Sequence, residues 1–101
     1  MLINEELFKT LNILYIEKND ELRNSFSQTL DKLFKKVFFS FDGIDAINQF
    51  TQQQKTDEKI DVILSEYNLP SLNGLELLSQ VRKINQTIPF IFITQETSID
   101  V

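Results

Sequence analysis

Four short apolar runs, at residues 12–16, 37–41, 60–65 and 89–94, alternate with three stretches whose apolar residues fall at helical spacing. No other feature restricts the fold so sharply. The first run, Asn12 to Ile16, is apolar on both faces, as a buried parallel strand must be. From Asp20 the pattern changes to Leu22, Phe26, Leu30, Leu33 and Phe34, which predicts a helix capped by Asn19 or Asp20. Lysines at 32, 35 and 36 close it, complementing its dipole. After the second run the turn pair Asp42-Gly43 opens a helix carrying Ile44, Ala46, Ile47 and Phe50. Residues 52–59 are a polar connection to the third run. Asn73-Gly74 opens the next helix, with Leu77, Leu78, Val81 and Ile84, before the fourth run. A short lead-in helix over 4–10, with Asn4 as N-cap, precedes all of this, and Glu96 and Ser98 lie where a further helix begins. Strand and helix in strict alternation predict one α/β domain over residues 1–101, a parallel sheet covered on both faces. Ligands of such folds gather beyond the C-terminal strand ends, where strand order reverses.

Absences narrow the chemistry. The chain has no Cys, which excludes disulfides, thiolate metal sites and a cysteine nucleophile. It has no His, which excludes Ser-His-Asp machinery and imidazole ligands. Gly43 and Gly74 are its two glycines, too few for a loop that wraps a nucleotide phosphate. A net charge of −5 argues against nucleic acid as a partner. The first residues carry neither a cationic stretch nor a long apolar run, so no signal peptide or membrane span is expected and the cytoplasm is the default compartment.

The strand ends deliver Glu17-Lys18-Asn19-Asp20, Asp42-Gly43, Glu66-Tyr67-Asn68 and Thr94-Gln95. Acidic strand ends beside a hydroxyl suit a divalent cation and a phosphoryl group, since Mg²⁺ takes one or two carboxylates plus phosphate and water oxygens. The plainer reading is that these are solvated loop carboxylates and that Thr94 merely ends a strand.

Residues 13–20 resemble the first strand of the response-regulator receiver family, which ends in an acidic pair. Residues 61–74 resemble its third strand and following loop, where an aspartate is followed by Pro four residues later and Gly eight residues later. Glu66, Pro70 and Gly74 keep that spacing. Residues 88–94 are similar to the family's fourth strand with its terminal hydroxyl. The resemblance spans residues 11–101 and implies a flavodoxin-like, doubly wound parallel sheet of order 2-1-3-4, the family's fifth strand and fifth helix being missing from this chain. It also implies roles: Glu17 at the first acidic position, Asn68 offering a backbone carbonyl to metal, Thr94 as the switch hydroxyl.

Two substitutions depart from the family. Lys18 stands where it keeps its main metal-binding aspartate, and Glu66 where it keeps the aspartate that accepts phosphate. A fixed positive charge about 4 Å from the metal position opposes Mg²⁺ by ~8 kcal/mol at an effective dielectric near 20. The expectation is a degenerate Mg²⁺ site, binding weakly or not at all, with the Lys18 ammonium paired to Glu17 or Glu66 in its place; the plainer alternative is that Lys18 points to solvent and pairs with nothing. A glutamate also carries its carboxylate roughly 1.5 Å further than an aspartate, enough to spoil in-line phosphoryl transfer. Glu66 either imitates the phosphorylated state or simply serves as a partner to Lys18.

The expected function is a signalling module of a two-component phosphorelay that regulates through protein contacts without aspartate phosphorylation, and not an enzyme. Its partners would be proteins, a histidine kinase or an output domain among them. The alternative is an acceptor that still takes phosphate from a histidine kinase by atypical chemistry. A hydrolytic metalloenzyme using Glu17 and Glu66 is disfavoured because Lys18 intrudes. The fourth strand is expected to lie at an edge, so either the chain is a fragment or a second copy pairs with that strand as a homodimer.

Overall fold

The computed structural model describes residues 5–93. Thr94, the helix expected after it and the Asn4 cap lie outside the described residues. The elements run α1 (Glu5–Phe8), β1 (Asn12–Ile16), α2 (Asp20–Leu33), β2 (Lys36–Ser40), α3 (Gly43–Gln53), β3 (Val62–Glu66), α4 (Gly74–Ile84) and β4 (Phe90–Ile93). The four strands form one parallel sheet in the order β2-β1-β3-β4, the flavodoxin-like arrangement.

Each long helix begins where a side chain can take an orphan N–H. Asn19 accepts from the Leu22 N–H at 3.0 Å, and Asp42 from that of Asp45 at 2.7 Å. Asn73 and Glu76 form a full capping box. The lead-in helix is shorter than expected because Thr10 turns the chain back, its hydroxyl and its N–H both donating to the Leu7 carbonyl. Phe8 then stacks on Phe34 at 5.3 Å, tying α1 to the end of α2.

Two cores lie on opposite faces of the sheet. Leu14, Ile16 and Ile63 pack with Ala46, Phe50, Leu77 and Val81 of α3 and α4. Ile13, Tyr15 and Val62 pack with Leu30 of α2. The second is thin: Leu30 is the one buried residue of α2, and Leu22 and Phe26 of the same apolar stripe are 41% and 39% exposed. Two strands are displaced from their expected bounds. β2 ends at Ser40, where the hydroxyl donates to the Asp45 carboxylate at 2.6 Å and to the Asp42 carbonyl, leaving Phe41 outside the sheet. β3 begins two residues late because the Gln54 side-chain amide bonds both the N–H and the carbonyl of Ile60. At its other end β3 runs on to pair Glu66 with Ile93, so Glu66 is the last strand residue and not the first of the loop.

Candidate functional site

The register that sets Ile16 beside Ser65 brings the next residues, Glu17 and Glu66, side by side at the C-terminal edge of the sheet. Both are nearly inaccessible, at 4% and 5% exposure. Glu17 is held on three sides. Its N–H donates to the Ser40 carbonyl at 3.0 Å, and Oε2 accepts from the Asn19 N–H at 3.1 Å. Its carbonyl accepts from Arg23 Nη1 at 2.8 Å, while Nη2 of the same guanidinium reaches Asp20 Oδ1. Arg23 therefore braces the whole turn between β1 and α2.

Glu66 is held less completely. Its Oε2 is buried and has no hydrogen-bond donor among the described residues. Burial, then a hydrogen bond to the Glu17 side chain, then the Glu17 charge, push its carboxyl up to about 7, against a smaller opposing effect of Lys18. The two side chains thus form a buried acid pair at the sheet edge, and the nearness of Glu17 disfavours the charged form of Glu66. Beneath it lies the Tyr15 phenol, pushed up to about 12 by burial and then by the charges of Glu17 and Glu66, with Arg23 opposing.

The structure places Lys18 differently from expectation. Lys18 is exposed, and the ion pairs among the described residues are Arg23–Asp20 and Lys36–Glu58. It pairs with neither Glu17 nor Glu66. The chain leaves the sheet after Ile16 and bends at Lys18, which leaves its ammonium exposed, and solvent spares it its desolvation.

The loop after β3 is stitched to two helix starts. The Pro70 carbonyl accepts from the N–H groups of Leu72 and Gly43, and the Tyr67 carbonyl from that of Gly74. Ser71 takes a positive φ of 67° and its hydroxyl accepts from the Ile44 N–H. Gly74 admits no side chain, because a Cβ there would lie 2.6 Å from Phe92 Cε1 and 2.7 Å from the Tyr67 carbonyl. Asn68 stands exposed in the same loop. The geometry thus brings Glu17 and Glu66 together, with Pro70 and Gly74 shaping the loop, and leaves Lys18 and Asn68 at the surface. Sequence reasoning missed Tyr15 and Arg23. Nothing in the spacing distinguishes Arg23 from any other helix-surface cation, whereas a tyrosine two residues before an acidic strand end was visible and was read as core.

An open cleft of about 290 Å³ adjoins this site, between α2 and the sheet. It runs from Phe26 and Thr29 past Tyr15 and Ile93 to the Glu17 carboxylate.

Comparison with known proteins bears on this arrangement. The family described as the response regulator receiver domain matches residues 13–101. The sensor histidine kinase RcsC of Escherichia coli strain K12 is 28% identical over 82 residues, covering 81% of this chain and 8% of that protein. The chemotaxis protein CheY homolog of Campylobacter jejuni is 28% identical over 89 residues, covering 85% of this chain and 65% of that one. The chain thus spans less than two thirds of either relative. Among solved structures, CheY4 of Vibrio cholerae is similar at a TM-score of 0.71 and 29% identity, over 88% of this chain and 72% of that one. The receiver domain of the histidine kinase CKI1 from Arabidopsis thaliana, complexed with Mg²⁺ and BeF₃⁻, shares the fold at a TM-score of 0.80 and 19% identity, over 96% of this chain and 74% of that one.

Proposed function

This chain belongs to the response regulator receiver family, and from that premise we propose that it regulates through protein contacts, with neither Mg²⁺ nor phosphorylation of Glu66. The observation that carries this reading is the Glu17–Glu66 pair: two carboxyls buried side by side at the end of the sheet, one oxygen of Glu66 without a donor among the described residues. A carboxyl that keeps its proton is a poor metal ligand and a poor nucleophile. Against Mg²⁺ stand the positive charge that Lys18 adds at the rim and the burial of Glu66, which disfavours its charged form. Permanent imitation of a phosphoryl group is also disfavoured, since a half-protonated Glu66 carries only part of its charge at neutral pH.

The partners of such a module are proteins, a histidine kinase or an output domain, and it catalyses no reaction itself. No described helix is long and apolar enough to cross a membrane, and the cytoplasm is the compartment we assign. The alternative, an acceptor that takes phosphate on Glu66 by unusual chemistry, draws support from the loop, whose Pro70 and Gly74 keep Glu66 at a strand end. One experiment separates the two. The protein is incubated with Mg²⁺ and acetyl phosphate beside a Lys18→Asp/Glu66→Asp variant, and intact mass is read. A single phosphate gained by the variant alone supports regulation without phosphorylation; the same gain in the unaltered chain refutes it.

A further inference from the structure

β2 is one edge of the sheet, with no strand beyond it among the described residues. The Glu17 N–H donates to the Ser40 carbonyl, so Ser40 and Phe38 turn their backbone groups towards β1. By the alternation of a parallel ladder, Val37 and Phe39 turn theirs outward. Gln49, reaching over from α3, donates its side-chain amide to the Phe39 carbonyl and so marks that direction. The carbonyl keeps a second lone pair, and the other three outward groups have no partner among the described residues. The strand is rich in aromatic and branched residues, contains no Pro, and leaves Phe39 and Phe41 39% and 54% exposed. An open edge of this composition is a template for another strand.

Charge selects the occupant. Every lysine and arginine except Lys18 and Arg23 lies at the end of the molecule where the strands begin, whereas Asp42 and Asp45 follow the end of β2. Lys32 and Lys35, at the head of β2, are exposed and make no ion pair among the described residues. A strand that is basic at its head and acidic past its tail is complementary to its own reverse. We propose that β2 pairs antiparallel with β2 of a second copy, Val37 of each chain opposite Phe39 of the other, joining two four-stranded sheets about a two-fold axis. This register uses all the outward groups in reciprocal pairs and brings Lys35 of one copy beside Phe41 and Asp42 of the other. Parallel pairing would set lysine against lysine and acid against acid. The two-fold also closes the contact, leaving no free β2 edge for a third copy. It gives the module proposed above one protein partner, itself, and holds whether or not Glu66 takes phosphate, since it uses neither carboxyl of the acid pair.

The test is sedimentation equilibrium of the full chain at concentrations up to about 1 mM. The expected result is a reversible monomer–dimer equilibrium, weakened severalfold as NaCl rises from about 0.05 M to about 0.5 M. Val37→Pro removes an outward N–H that β1 does not use, so the variant should stay folded by circular dichroism and sediment as a monomer. Lys35→Glu should weaken association severalfold and guards against a proline variant that fails to fold. The chain has no Cys, so a nitroxide on Phe41→Cys, mixed with ¹⁵N-labelled unaltered protein, reports the pairing directly and should broaden the amides of Lys35 and Lys36. A monomer at every concentration, or a dimer indifferent to folded Val37→Pro or to Lys35→Glu, overturns the proposal. Broadening at Phe41 and Asp42 instead overturns the antiparallel direction, and broadening at Ile91 and Ile93 moves the contact to β4 and overturns it as well. Neither Mg²⁺ nor a phosphodonor is present, so failure here leaves the reading of the acid pair to its own experiment.

Discussion

Replacing Glu66 by glutamine keeps the size and polarity of the side chain and removes its ionisation, so its effect should depend on pH in one direction. The Glu66 carboxyl is raised from 4.5 to about 7 by burial and by Glu17, with Lys18 opposing. A carboxyl raised in the folded state holds its proton more tightly there than in the unfolded chain. Its contribution to stability is therefore fully present below about pH 4.5 and is lost as pH rises through about 7. A shift of roughly 2.5 units at ~1.4 kcal/mol each gives a loss of about 3 kcal/mol by pH 8. Such a loss is a substantial part of the 5–15 kcal/mol, roughly, that holds a domain together. The glutamine cannot ionise, so Glu66→Gln should be near neutral in effect at pH 5 and stabilising by up to about 3 kcal/mol at pH 8. Urea unfolding followed by circular dichroism at half-unit steps from pH 5 to pH 8.5 reads the difference directly, because every other titrating group is common to both proteins. If the two stability curves stay parallel across that range, Glu66 does not keep its proton near neutrality, and the acid pair as described is wrong.

Three further substitutions probe the parts around it. Lys18→Ala removes the one cation that lowers the Glu66 carboxyl, so side-chain ¹³C NMR should show that carboxyl titrating at higher pH, and a downward shift would contradict the assigned role. Arg23→Ala takes away the donors to the Glu17 carbonyl and to Asp20; a cost of about 1–3 kcal/mol is expected in urea unfolding, with faster amide exchange at Asn19 and Leu22. Gly74→Ala forces a methyl against Phe92 and the Tyr67 carbonyl, and thermal unfolding should register a loss of about 1–3 kcal/mol, less only if the ring of Phe92 swings aside.

What could be read before the structure was the part governed by periodicity. The runs at 12–16 and 89–94 are apolar without alternation, and the segments between carry helical spacing with Asn19, Asp42 and Asn73 at their heads, so element order and a parallel sheet follow from local rules, whereas the strand order 2-1-3-4 came from the family resemblance. Gly74 was legible as a spacing but not as a reason; only the approach of Phe92, far along the chain, shows why nothing larger fits. The bounds of β2 and β3 were misplaced because side chains bond the backbone beside the strand ends, Ser40 the Asp42 carbonyl and Gln54 both groups of Ile60.

The same distinction separates the two charges at the site. A sequence shows that Lys18 adjoins Glu17, and the economical inference pairs them. Pairing, however, would demand that the lysine follow its neighbour into the interior, and the chain has already left the sheet and bends at Lys18, which stays exposed. Glu17 instead turns its carboxylate back onto the Asn19 N–H, and its nearness helps to raise the Glu66 carboxyl after burial. Removing Glu17 ought then to matter more to Glu66 than removing Lys18. Glu17→Gln deletes the second and third causes of the raised carboxyl and leaves burial as the first. The Glu66 titration should accordingly fall towards neutral-exposed values without reaching 4.5. A full return to 4.5 would mean that contact with Glu17, and not burial, dominates the site.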